Sequence, residues 1–129
     1  MKDTQLSVYL VNKPGELARI TSHLASFGIN IKAISVADSS EYGVARITTS
    51  DVNKAAAALK EMGYGFITTG VVAVELADSP GALSEICKKL ADAGINIRYV
   101  YATVTPGGGV AMAIFNTDDN DRADKLITG

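Results

Sequence analysis

The chain opens with a strand pattern followed by a helix pattern. Residues 6–11 alternate apolar with polar or amphipathic side chains, which predicts a strand with one buried face. Apolar residues then recur at spacings of three and four, which predicts an amphipathic helix. They are Leu17, Ile20, Leu24 and Phe27. Pro14 suits the first helical position, and Gly28 suits the positive φ of a helix C-cap.

Four further elements follow in the first half. Residues 29–37 predict a strand with a bulge near Lys32 and Ala33, where the alternation slips, and residues 44–49 predict another strand. Ser50 or Asp51 can cap a second helix that Gly63 ends, and residues 66–68 predict a short last strand. The order β-α-β-β-α-β predicts an α+β, ferredoxin-like unit: an antiparallel sheet with two helices on one face.

This unit is then repeated. Pro14 and Pro80 are 66 residues apart, and at that offset ten residues recur unchanged. The recurring residues are Pro14, Gly15, Leu17, Ile20, Leu24, Ala25, Gly28, Ile29, Asn30 and Ile31. The second copy begins with a strand at residues 71–76, and its helix stripe is Leu83, Ile86, Cys87 and Leu90. We therefore expect two ferredoxin-like units in tandem, residues 1–69 and 70–129.

The second copy ends early. At an offset of 67, Asp118, Asn120, Ala123 and Leu126 fall on Asp51, Asn53, Ala56 and Leu59. The sequence stops before any counterpart of residues 66–68, so the second unit is expected to lack its last strand, natively or by truncation. Either its sheet has an open edge or another strand fills that edge. An open edge promotes association, which favours a homo-oligomer.

Composition narrows the class of partner. Twelve Lys and Arg stand against 14 Asp and Glu, and the pI is near 5.3, so no basic excess favours nucleic acid or an anionic membrane surface. The N-terminus lacks a signal-peptide pattern, and no apolar run approaches the ~20 residues that cross a bilayer. One cysteine, Cys87, cannot form an internal disulfide, so a cytoplasmic location is expected.

Both halves carry one motif: a strand, then Asn/Asp-x-Pro-Gly-x-Leu opening a helix, then Gly-Ile-Asn-Ile opening the next strand. The motif resembles the ACT domain family over nearly the whole chain. The resemblance implies ferredoxin-like modules that bind a free amino acid and regulate an associated enzyme of amino-acid metabolism. It also implies that ligands lie between the Pro-Gly loop of one unit and a strand of its neighbour.

The Pro-Gly loops have chemistry suited to such a ligand. Amide N–H groups in a first helical turn lack intrahelical acceptors, and the helix dipole there favours an anion such as an α-carboxylate. Glycine at 15 and 81 also allows a ligand to approach the backbone. The predicted ligand-binding residues are Asn12, Gly15, Glu16, Leu17, Asn30, Ile31, Asp78, Gly81, Ala82, Leu83, Asn96 and Ile97.

Several of these residues also have a purely structural interpretation. Asn12 and Asp78 can cap their helices instead of accepting from a ligand's ammonium group, and the two roles can coexist. Asn30 and Asn96 follow a helix-ending glycine, where Asn is a common turn residue. The loops differ in charge, because Lys13 and Glu16 correspond to Ser79 and Ala82. We expect the loop that contains Asp78 to bind more tightly.

The sequence gives little support for catalysis, phosphate or metal binding, or RNA recognition. His23 flanks the helix stripe with no acid or serine placed beside it by a motif, and nothing near Cys87 would lower its pKa. The run Pro106-Gly107-Gly108-Gly109 lacks the Lys-Ser/Thr of a phosphate loop, and 118–121 lacks the residues of a calcium loop. An RNA-binding module or a metal carrier would need exposed aromatics or a Cys-x-x-Cys motif. We expect no metal, no cofactor and no enzyme activity.

The sequence thus predicts an amino-acid-sensing regulatory module with a free amino acid and an enzyme of amino-acid metabolism as partners. The alternative is a regulatory subunit that binds no ligand and docks on an enzyme through the open edge near residues 71–76.

Overall fold

The computed structural model describes residues 1–39, 42–77, 79–104 and 110–128. The elements of the first half are β1 (Lys2–Val11), α1 (Glu16–Ser26), β2 (Ile31–Ser39), β3 (Tyr42–Thr49) and α2 (Val52–Met62). They are followed by β4 (Phe66–Ala77), α3 (Ala82–Asp92), β5 (Ile97–Val104), β6 (Val110–Thr117) and α4 (Asn120–Thr128).

Tertiary contacts divide the chain into two compact units. The first unit consists of Thr4–Thr69, and the second unit combines Met1–Asp3 with Gly70–Gly129. This division differs from the predicted ranges 1–69 and 70–129 by the first three residues. Each unit has antiparallel strand pairs and two helices, which confirms the predicted α+β, tandem ferredoxin-like architecture.

The first unit has the strand order β2-β3-β1-β4. Leu6 pairs with Ile47 and Val8 with Ala45, so apolar side chains from neighbouring strands share one face. Ile20, Leu24, Ala55, Ala58 and Leu59 of the two helices pack on that face to form one core. The predicted stripe of α1 is thus correct at its centre. Its ends are wrong, because Leu17 and Phe27 lie at the two ends of the helix and remain 37% and 40% exposed.

The second unit repeats this arrangement with the order β5-β6-β4. Val72 pairs with Phe115 and Val74 with Ala113, and Ile86 and Leu90 of α3 pack on the same face. Leu83, the predicted first member of the helix stripe, is 42% exposed, as its counterpart Leu17 is. The β-bulge predicted near Lys32 and Ala33 is confirmed by a register shift between Ile31 and Ala33, and β5 repeats it between Ile97 and Tyr99.

The first residues of the chain complete the second unit. The backbone N–H of Ala73 donates to the carbonyl of Met1 at 2.8 Å, and the Lys2 ammonium lies 2.7 Å from Asp121 Oδ1 on α4. The edge at Ala73 is therefore filled by residues 1–3, and the prediction of a strand from elsewhere is the correct one of the two alternatives. Consequently β1 begins at Lys2 and not at residue 6.

The predicted strands 66–68 and 71–76 are one continuous strand, β4. No turn residue separates them except Gly70, which an extended strand accommodates. The first residues of β4, Phe66–Thr69, belong to the first unit, and the remainder belongs to the second.

The ends of the two copies align at an offset of 68, and the predicted offset of 67 is wrong. Asp51 and Asp119 both cap helices, accepting from Lys54 N at 3.0 Å and Arg122 N at 3.2 Å. The strand register gives the same offset. Leu6 pairs with Ile47, and Val72, 66 residues after Leu6, pairs with Phe115, 68 residues after Ile47. The two additional residues fall between β5 and β6. Residues 106–109, predicted as a hairpin connection, lie outside the described part of the chain.

Candidate functional site

Each Pro-Gly loop ends in a glycine with a left-handed backbone. Gly15 has φ 91° and ψ −14°, and Gly81 has φ 90° and ψ −12°. These glycines are the N-caps of α1 and α3, and the helices begin one residue later. Pro14 is therefore not the first helical residue as predicted, because the left-handed glycine separates it from the helix. The same conformation occurs twice, so the repeated sequence specifies a repeated loop.

The backbone conformation explains why glycine occupies both positions. A side chain in this φ region is strained whatever space surrounds it. A Cβ atom added to Gly15 or Gly81 would have no described atom within 4 Å, so crowding is not the reason. The surfaces of both glycines are open to solvent.

Backbone N–H groups at the start of each helix point away from any intrahelical acceptor. Neither N-cap supplies a side-chain hydrogen bond, and the N–H of Glu16 reaches Lys13 O only at 3.5 Å. Within the described ranges, no group accepts a hydrogen bond from the N–H of Leu17, and the same holds for Leu83. Spare donors at the positive end of a helix dipole favour an anionic ligand.

The first loop carries a network that the sequence did not predict. The Tyr64 hydroxyl donates to Glu16 Oε2 at 2.9 Å and accepts from Arg19 Nη1 at 3.1 Å. Lys13 Nζ lies 3.6 Å from Glu16 Oε1, and the Arg19 guanidinium lies 5.3 Å from the centre of the Tyr64 ring. The Glu16 side chain is only 12% exposed. A carboxylate is thus fixed beside the first helix start.

Tyr64 is held in its neutral form by this environment. Burial raises the pKa of Tyr64 above its ordinary value, and its hydrogen bond to Glu16 raises the pKa further. The bond from Arg19 acts in the opposite direction. No motif identified Tyr64, because the repeated residues lie between Pro14 and Ile31.

The second loop has different side chains. At the offset of 66, Ser79, Ala82 and Glu85 replace Lys13, Glu16 and Arg19. No carboxylate therefore stands at the first helical position of α3. Asp78, predicted to contact a ligand, lies outside the described residues.

Asn30 and Asn96 are fixed by their backbones in equivalent ways. Asn30 N donates to Ser50 Oγ at 3.0 Å, and Ser50 N donates to Asn30 O at 2.9 Å. Asn96 N donates to Asp118 Oδ1 at 3.0 Å, and Asp118 N donates to Asn96 O at 3.1 Å. Ser50 and Asp118 thus each form a reciprocal pair of hydrogen bonds with an asparagine backbone. Both residues directly precede a helix N-cap, and this shared sequence position could have identified them.

The predicted site residues form two groups in each unit. In the first unit Asn12, Gly15, Glu16 and Leu17 lie before or at the start of α1, whereas Asn30 and Ile31 follow its end. An 11-residue helix is ~16 Å long, which separates the groups. In the second unit α3 similarly separates Gly81, Ala82 and Leu83 from Asn96 and Ile97. A small ligand therefore does not contact both groups of the same unit.

The described ranges contain neither a metal-binding cluster nor a membrane-spanning helix. No group of three or more His, Cys, Asp or Glu side chains there could hold a metal ion. Among the helices so described, none is long and apolar enough to cross a membrane.

Comparison with known families decides the affiliation. Residues 1–129 match the family described as ACT domain pair. The chain belongs to the ACT domain family. Comparison with curated proteins finds no significant match to this ACT domain pair.

Solved structures share its fold. Protein BT0572 from Bacteroides thetaiotaomicron is 31% identical, with a TM-score of 0.91 over 99% of this chain and 88% of that one. The ligand-free regulatory subunit of aspartate kinase from Thermus thermophilus is 16% identical, with a TM-score of 0.72 over 98% of this chain and 91% of that one. The corresponding subunit from Thermus flavus is 20% identical, with a TM-score of 0.64 over 99% and 94%.

Proposed function

We propose that this ACT domain pair senses a free amino acid and modulates an enzyme of amino-acid metabolism. The observation that carries the proposal is the pair of closely similar loop conformations at Gly15 and Gly81, each followed by a helix-start N–H for which the described residues provide no acceptor. The family affiliation over residues 1–129 supports the same role. The module acts by binding and not by catalysis.

An amino acid offers an anion and a cation a short distance apart, and each needs its own partner. Its carboxylate accepts from the N–H of Leu17 or Leu83, which has no acceptor among the described residues, at the positive end of a helix. Its ammonium group donates to an acceptor ahead of the loop, for which Asn12 and Asp78 are the sequence candidates. Asn30, Ile31, Asn96 and Ile97, at strand starts, complete the site from a neighbouring ACT unit, which also favours a homo-oligomer.

The two loops are expected to bind unequally. Glu16 fixes a negative charge beside the first helix start, where Tyr64 and Lys13 hold it. A ligand carboxylate at that position is repelled by this like charge. Ala82 at the equivalent place in the second unit carries no charge. The Gly81 loop is therefore the tighter site.

A partner enzyme is part of the proposal. Two structures with the same fold are regulatory subunits of aspartate kinase. We propose that this chain likewise acts on an enzyme of amino-acid metabolism, and that the amino acid it binds changes that action. Activity of such an enzyme, measured with and without the module and its ligand, would report the coupling.

A thermal-unfolding screen of the purified chain against the common amino acids tests the binding. A ligand at about 100 times its Kd adds ~2.7 kcal/mol to the free energy of unfolding, which gives a clear rise in Tm. We expect such a rise for at least one amino acid. A flat response across the panel would contradict the sensor and leave a subunit that docks without ligand.

A charge substitution then tests whether the amino acid binds at the Gly81 loop. Ala82→Glu copies the first loop and should weaken binding by about two- to fivefold, the effect of one charge at a helix start. Ala57→Glu is the matched control, because Ala57 is an exposed residue of α2 and the added charge is the same. Equal affinity of the two variants would place the ligand elsewhere than at the Gly81 loop.

A further inference from the structure

A solvent-exposed cavity of about 510 Å³ lies between α1 and α2 of the first unit. Its lining combines charged, hydroxyl and apolar side chains: Arg19, Ser22, His23, Ser26, Glu61 and Met62. The volume is within the ~300–1,000 Å³ typical of small-molecule sites. The cavity lies on the helices and contains none of the loop or strand residues assigned to the proposed amino-acid site.

Two opposite charges in this cavity lack a charged partner. Glu61 forms no ion pair with any residue that the structure describes. Arg19 donates one N–H to the Tyr64 hydroxyl, which is neutral, and its guanidinium lies over the Tyr64 ring. Because a guanidinium has five N–H donors, most remain for another acceptor. The tyrosine thus positions the cation without neutralising it.

His23 adds an unsatisfied polar atom to the cavity wall. Its Nε2 is buried and has no hydrogen-bond partner in the described part of the chain, while the ring packs edge-on against Phe27 with centroids 5.0 Å apart. Buried polar atoms are almost always hydrogen-bonded, so an orphaned one calls for an external partner. A polar molecule held in the cavity is one such partner.

The equivalent surface of the second unit is built differently. Ser22 and Ser26 correspond to Lys88 and Asp92 at the offset of 66. Lys88 and Asp92 form an ion pair of 2.8 Å with each other, one helical turn apart. An exposed ion pair of long side chains therefore stands where the first unit has two short hydroxyls. The two hydroxyls that line the cavity are therefore specific to the first copy.

We propose that the α1–α2 cavity is a second binding site, for a small dipolar molecule that carries a carboxylate and an ammonium group. The carboxylate pairs with Arg19 and the ammonium with Glu61. The hydroxyls of Ser22 and Ser26 offer neutral hydrogen bonds, and Met62 provides the apolar contact. The site does not depend on the Pro-Gly loops binding anything.

The same cavity has a physical connection to the first loop. Arg19 donates to Tyr64, Tyr64 donates to Glu16, and Glu16 pairs with Lys13 beside Gly15. A ligand that draws Arg19 away from Tyr64 would weaken the anchoring of Glu16. Occupancy of the cavity would therefore change how firmly the negative charge of Glu16 is held beside the first helix start.

His23 makes the proposal directly testable, because it is the one histidine of the sequence. Its imidazole C–H signals in an NMR spectrum report on the cavity alone. The full chain is titrated with each of the common amino acids, and the backbone amide signals of Gly81 and Leu83 are followed in the same samples. We expect a saturable shift of the His23 signals with at least one of these probes.

Two variants separate specific binding from a general effect. Glu61→Gln removes the ammonium partner and should weaken the His23 response by about tenfold or more, which corresponds to ~1.4 kcal/mol. Glu85→Gln makes the same change on an exposed position of α3 and should leave the response intact. An unmoved His23 signal across the panel, or an equal response in Glu61→Gln, would overturn the proposal.

The experiment also distinguishes this proposal from the loop site. Shifts at Gly81 and Leu83 without shifts at His23 would remove the cavity site and retain the sensor function. Shifts at His23 without shifts at Gly81 and Leu83 would retain the cavity site and contradict amino-acid binding at the Gly81 loop. Tyr64→Phe removes the link between Arg19 and Glu16 and should cut any effect of cavity occupancy on the Gly15 amide.

Discussion

Ala73 and Met1 are hydrogen-bonded backbone neighbours, although 72 residues separate them in sequence. The N–H of Ala73 donates to the carbonyl of Met1 at 2.8 Å, and the next residue, Lys2, reaches Asp121 on α4. The second unit therefore contains a strand segment taken from the beginning of the chain. Its sheet is completed by residues that the repeat pattern assigns to the first copy.

The Lys2–Asp121 ion pair should help to hold this segment in place. Lys2→Glu places two negative charges together and should raise the hydrogen-exchange rate of the Ala73 amide several-fold, because the segment opens more often. Exchange of β3 amides in the first unit should not change. Lys54→Glu, the same charge change on an exposed residue of α2, serves as the control. Unaltered protection of Ala73 in Lys2→Glu would show that the ion pair does not anchor the segment.

The same ion pair predicts a pH dependence with two limits. The hydrogen bond and charge of Lys2 hold the pKa of Asp121 below its ordinary value of 3.8, and the bond to Asp121 raises the pKa of Lys2 above 10.5. The contribution of Asp121 is present above pH 3.8 and is lost as the pH falls through its lowered pKa. The contribution of Lys2 is present below pH 10.5 and is lost as the pH rises through its raised pKa.

The difference in Tm between the unaltered chain and Asp121→Asn, measured against pH, checks this assignment. It should be largest in the neutral range and shrink towards both extremes. A difference that stays constant from acid to neutral pH would mean that the Asp121 charge does not stabilise the fold.

Tyr64 should stabilise the first unit through its hydroxyl. Tyr64→Phe removes the donor to Glu16, whose carboxylate is mostly buried, and should lower the free energy of unfolding by about 1–2 kcal/mol. Tyr9→Phe is the control, since Tyr9 is 46% exposed and the change should stay within about 0.5 kcal/mol. Denaturant unfolding measures both. Equal stabilities for the two variants would contradict the network.

A titration of tyrosine absorbance provides an independent check on Tyr64. Glu16→Gln removes the carboxylate that accepts from the hydroxyl, so the pKa of Tyr64 should fall. The difference spectrum against Tyr64→Phe isolates this residue from the other tyrosines.

The repeated pattern was sufficient to predict the tandem ferredoxin-like fold and the centres of the helix stripes. Ile20 and Leu24 are buried because three- and four-residue spacing keeps them on one face of α1. The continuous strand β4 was missed, because Gly70 is read as a break when only local signals are used. The placement of residues 1–3 was missed for a different reason: pairing across 72 residues leaves no local signature.

The candidate site was predictable only in part. The repeated Pro-Gly loops identified both helix starts, but a left-handed N-cap glycine, and not a helical Pro14, sets their geometry. The fixed carboxylate of Glu16 depends on Tyr64, which lies 48 residues away in sequence. Tertiary contacts of this kind determine the charge of a loop and cannot be read from its own residues.

A backbone-amide NMR titration of the isotopically labelled chain with the common amino acids tests whether the Pro-Gly loops bind an amino acid. We expect at least one of them to shift the Gly81 and Leu83 amide signals saturably, and to shift the Gly15 and Leu17 signals only at higher concentration. Amide signals of both loops that stay unmoved by every amino acid would contradict such binding.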